Sequence, residues 1–140
     1  MLRSFNILIL ALLLISCVST KGPDLVQQDY DTVVFNDGVT LEEAIFIAKK
    51  EVKDNTPPKT YNIDEPKIIT EFESVPHNED FWFVSFPEME KSAVKDVYMV
   101  SLQKEDGKIV FSRAYVPENE WVIEAVFLKL YEKKKHIDPR

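Results

Sequence analysis

The chain has one cysteine, two histidines and three glycines in 140 residues. Each shortage closes off a class of function. A single thiol forms no internal disulfide and supplies no multi-cysteine metal site. The histidines, His77 and His136, lie in polar, turn-like or terminal sequence and leave little for acid–base or metal chemistry. Three glycines do not readily form a phosphate-cradling loop. Basic residues are short too: 17 Lys and Arg face 24 Asp and Glu, a formal charge of −7. An acidic body argues against nucleic acid as a partner, because phosphates demand a basic surface. The residues imply no cofactor and no metal, and no repeat or low-complexity run appears.

Long apolar runs are also scarce. Residues 7–15 (ILILALLLI) follow Arg3 and make a run of nine. As a helix these reach about 14 Å, half of a bilayer core. That is too short to span and has the length of the apolar segment of a signal peptide. The lone thiol, Cys17, stands directly behind it, as a small core residue, a nucleophile or an attachment point.

Leu14-Ile15-Ser16-Cys17 resembles the lipobox of bacterial lipoprotein signal peptides. The resemblance implies that the thiol takes a diacylglycerol, that the chain is cut before Cys17, and that the new amine is acylated. An ordinary secretory signal or a retained membrane helix is the alternative. Two or three acyl chains hold a protein durably where one does not. Residues 18–28 (VSTKGPDLVQQ) read as a tether. Val18, where an aspartate would favour inner-membrane retention in Gram-negative lipoproteins, resembles the outer-membrane class. The implied place is then the outer membrane, facing the periplasm, if the source is Gram-negative. Removing sixteen residues, Arg3 among them, leaves 124, with sixteen basic side chains against 24 acidic ones. This suffices for one domain, 29–140, with one core.

That domain reads as α+β. In 29–36 (DYDTVVFN) the centre is β-rich, a short strand or an extended lead-in, and Asn36-Asp37-Gly38 turns. Thr40 and Glu43 make a capping box for a helix over 40–55. Leu41, Ala44, Ile45, Ala48 and Val52 form its apolar stripe, which Ile47 widens. Asn55-Thr56-Pro57-Pro58 ends it. Four strands are predicted over 66–74, 80–86, 96–103 and 109–115, the last two joined by a turn with Asp106-Gly107. A second helix is predicted over 117–135, opened by Pro117 and acids and closed by lysines.

This order resembles the cystatin-like folds, in which a helix lies across a four-stranded antiparallel meander. Two patterns are similar to their PepSY-type branch. One is the helix Leu41-Glu42-Glu43-Ala44-Ile45-Phe46-Ile47-Ala48. The other is Tyr98-Met99-Val100-Ser101-Leu102 followed by Gly107-Lys108-Ile109. The C-terminal helix departs from that pattern and is an addition to it.

Chemistry is thin. His77 beside Asn78, Glu79 and Asp80 reads as a solvated turn rather than a metal ligand, and Glu71 and Glu73 as the wet face of a strand. In Phe81-Trp82-Phe83-Val84-Ser85-Phe86 the strand is apolar on both faces, so both are covered. One helix covers one face; the C-terminal helix with Trp121, or a partner, covers the other. In the partner case Trp82 and Phe86 are the anchors, and Trp121 is a third candidate binding residue. The expected function is therefore a lipid-anchored binding or inhibitory module of the cell envelope, not an enzyme. Its partners are the membrane and an envelope protein or cell-wall material. A structural or assembly lipoprotein is the alternative.

Overall fold

The helix with the fullest set of sequence signals is the longest element among the described residues. In the computed structural model, which describes residues 22–69, 78–90, 96–116 and 125–129, it is helix α2, Leu41–Asn55. It is preceded by a short helix α1 (Leu25–Tyr30) and followed by strands β1 (Lys67–Ile69), β2 (Phe81–Pro87), β3 (Val97–Gln103) and β4 (Ile109–Tyr115). A 3₁₀ turn, Asn78–Asp80, leads into β2, and residues 125–129 are helical. The strands form one open antiparallel sheet in the order β1-β2-β3-β4, so the class is α+β.

The capping box forms as the sequence predicts. The Thr40 hydroxyl oxygen accepts from the Glu43 amide at 3.3 Å, and the Glu43 carboxylate accepts from the Thr40 amide at 2.9 Å. At the other end the Thr56 amide and hydroxyl both donate to the Val52 carbonyl before Pro57 stops the helix. The buried stripe is Ala44, Ile47, Ala48 and Val52. Leu41, expected within it, is exposed, and Ile47 takes the flank instead. Small side chains at Ala44 and Ala48 let the helix approach the sheet closely, which sets the phase of the buried stripe around them.

One segment differs from its sequence reading. The tether expected through Gln28 becomes helical at Leu25, where the Asp24 carboxylate caps the Gln27 amide. Six residues are too few for an isolated helix. Packing on α2 supports this one, together with an ion pair between Asp24 and Lys53. Of the two readings open for 29–36, a short strand or a lead-in, the structure has the lead-in: residues 32–35 form no strand. Their backbone groups are used otherwise: Val33 bonds back to Tyr30, and the Val34 amide donates to Glu43 at 3.0 Å.

Both faces of the sheet are covered. Val84, Phe86, Tyr98, Val100 and Leu102 face α2 and form one core with it. Phe83, Met99 and Phe111 form a second core on the opposite face, closed by Phe127 from 125–129. The ring of Phe127 meets that of Phe81 edge-on at 5.0 Å. Simple alternation along β4 puts Ile109 with Phe111. A register shift at Ser101/Leu102 separates them: Leu102 pairs with Ile109 and Ser101 with Phe111, leaving Val110 as the extra residue. Ile109 therefore packs on the α2 side and Val110 on the other, as a β-bulge requires.

Candidate functional site

The two clefts of interest lie at opposite ends of α2, a length of about 22 Å for fifteen residues. At the N-terminal end the β3–β4 hairpin meets the lead-in. Gly107 has φ +69°, and its amide closes the turn onto the Gln103 carbonyl at 2.9 Å. Asp106 accepts from the Lys108 amide at 2.9 Å. Lys104 then grips two segments: its amide donates to the Asp80 carbonyl, and its carbonyl accepts from the Val39 amide at 2.7 Å.

Trp82 completes this clamp. Its indole N–H donates to the Val39 carbonyl at 2.7 Å, and the Lys104 ammonium sits 4.3 Å from its ring centroid. Both backbone groups of Val39 are therefore held, one residue before the helix cap. Above them opens a wide cleft of about 760 Å³ walled by Asp29, Asp37, Glu42 and Glu43, with Val34 and Phe46 between the acids. The Val34 amide, then the Thr40 amide and hydroxyl, hold the Glu43 carboxyl below its ordinary value of 4.5. Its charge is thus committed to backbone donors. Val34, which lines this cleft, is exposed, as are Phe35 next to it in sequence and Leu41 at the start of α2.

The anchor pair Trp82 and Phe86 is separated by burial. Phe86 is 0% exposed, sealed in the core beneath α2, and cannot meet a partner in the folded chain. The face carrying both residues is the one α2 covers. Trp82 is half-buried and already bonded. Trp121, the third proposed binding residue, lies outside the described residues, as do Cys17, Glu71, Glu73, His77 and His136. Among the described residues no group of three or more His, Cys, Asp and Glu side chains is placed to hold a metal ion. No described helix is long and apolar enough to cross a membrane.

The second cleft, of about 490 Å³, lies past the C-terminal end of α2, between Val26 of α1 and the connection through Pro57, Pro58, Tyr61 and Ile63. The sequence reading passed over this segment as the end of a helix. The structure folds it along the end of β2: the Asn62 amide donates to the Pro87 carbonyl at 2.8 Å, and the Met89 amide to the Thr60 carbonyl at 2.9 Å. Tyr61 packs on Tyr98 at 5.3 Å, and the Tyr98 and Ser112 hydroxyls share a hydrogen bond. Burial, followed by the nearby Asp96 and Glu88, raises the Tyr61 phenol above its ordinary value. An aromatic three residues after a double proline was the available signal, since such a ring folds back onto the nearest apolar surface.

No protein-family model, no curated protein and no solved structure matches this chain.

Proposed function

We propose that this chain is a lipid-anchored, non-catalytic binding or inhibitory module of the bacterial cell envelope, of cystatin- or PepSY-like fold with an added helix over 117–135. The observation that carries it is the order of the N-terminal residues. A positive start, nine apolar residues and then Leu14-Ile15-Ser16-Cys17 supply what acylation and cleavage require: a nucleophilic sulfur behind a small residue. A capped helix over a four-stranded antiparallel meander supports the fold reading. Phe127, seated on Phe81 and Phe83, supports a C-terminal helix covering the face away from α2. Val18 places the anchor in the outer membrane where the source is Gram-negative.

The surface offered to a partner is the acidic cleft edged by Val34, Phe35 and Leu41. Rings and aliphatic groups supply contact area there, and the acids select a basic partner surface. Trp82 supports this surface from below by holding Val39. Two substitutions test the reading together. Cys17→Ser is expected to abolish acylation and to release the chain from the membrane fraction. Val34→Asp with Leu41→Asp is expected to abolish cross-linking to an envelope partner while the melting temperature stays within a few degrees. A Cys17→Ser chain that remains membrane-bound overturns the anchor. Cross-linking unchanged by the double substitution overturns the surface.

A further inference from the structure

We infer that the end of the body carrying Leu25 and Met89 rests on the phospholipid surface, with the acidic cleft held away from it. The inference rests on the acylated Cys17 proposed above. Gly22, the first described residue, follows Cys17 by five residue steps. A fully extended chain covers at most about 18 Å over that distance. The headgroup layer takes up about 6 Å of it. Leu25 follows three residues later and opens α1, so this end of the molecule is held close to the membrane whatever path the leash takes.

The surface at that end fits such a position. Leu25 and Met89 are 66% and 54% exposed, the highest values among the large apolar side chains of the described residues. Met89 lines the second cleft with Val26, Pro57, Pro58 and Ile63, and Leu25 precedes Val26 on α1. Both signs of charge stand there: Lys53 pairs with Asp24, Lys59 and Asp64 stand on the same wall, and Glu88 and Glu90 flank Met89. Exposed apolar groups with such a rim suit zwitterionic headgroups rather than the anionic lipid that a net-acidic body would repel. Helix α2 runs from this end to the acidic cleft, so its length sets the partner surface about 22 Å further out.

The test uses the acylated protein extracted from membranes and reconstituted in phosphatidylcholine vesicles. Single-cysteine variants Leu25→Cys, Met89→Cys and Glu105→Cys carry an environment-sensitive fluorophore. Glu105, in the β3–β4 turn, reports the opposite end. The probes at positions 25 and 89 are expected to emit further to the blue and about twofold or more brighter than the probe at 105. Nitroxide-headgroup lipid is expected to quench those two and spare the third. Protein that floats with vesicles while all three probes report water keeps the anchor and overturns the docked end; a protein partner at this surface gives that result. Protein that does not float removes the leash, and both proposals fall.

Discussion

At Gly107 a side chain meets two obstacles. A Cβ there lies 2.9 Å from the Phe35 ring and 3.0 Å from the Val39 methyl. Phe35 is on the surface and can swing aside; Val39 is buried and clamped, and φ stays at +69°. Gly107→Ala is therefore expected to destabilise by more than about 1 kcal/mol, read as a lowered denaturant midpoint at unchanged slope. Ser101 presents the opposite case. Its hydroxyl is wholly buried without a partner, in register between Phe83 and Phe111. Ser101→Ala is expected to raise stability by about 1 kcal/mol, since an unmet buried hydroxyl costs that order. A loss of the same size contradicts this. Trp82→Phe keeps most of the ring and strands the Val39 carbonyl, at a cost of about 1 kcal/mol in thermal or chemical unfolding.

Helix α2 and the lead-in behave as one element because Glu43 accepts from both. Its folded value lies below its unfolded one, so its contribution is fully present above about the ordinary value, 4.5. That contribution is lost as pH falls through the folded value. Glu43→Gln is expected to flatten this part of the acid limb of the stability–pH curve. An acid limb identical to that of the parent chain contradicts the role. Thr40→Ala removes the reciprocal bond and is expected to cost about 1 kcal/mol. Element by element, local chemistry decided what was legible. The capping box, the Asp-Gly hairpin and the limits of β4 follow from neighbouring residues, and each appears where the sequence places it. The misplaced features depend on partners distant in sequence. Helix α1 exists through α2, and the Ile109–Phe111 split through a bulge that periodicity does not encode. Phe86 was visible as apolar, but which face α2 would cover is a tertiary fact.

At the scale of the whole molecule, the described residues place one cleft past the C-terminal end of α2 and an acidic cleft at its N-terminal end, with a core on each face of the sheet. Phe86→Ala is expected to cost about 3–5 kcal/mol, because it empties the α2-side core rather than a surface. Of the proposed site, Trp82 was legible as important, though its bonds make it a clamp for Val39. The cleft beside Pro57 and Met89 was not, since chain segments separated by the whole of α2 assemble it.

The account depends most on the fate of Cys17. The direct measurement is the intact mass of protein extracted from the membrane of cells expressing the complete chain. A mass lacking residues 1–16, with a diacylglycerol and one amide-linked acyl group added, is the predicted result. A full-length, unacylated chain with a free thiol contradicts it.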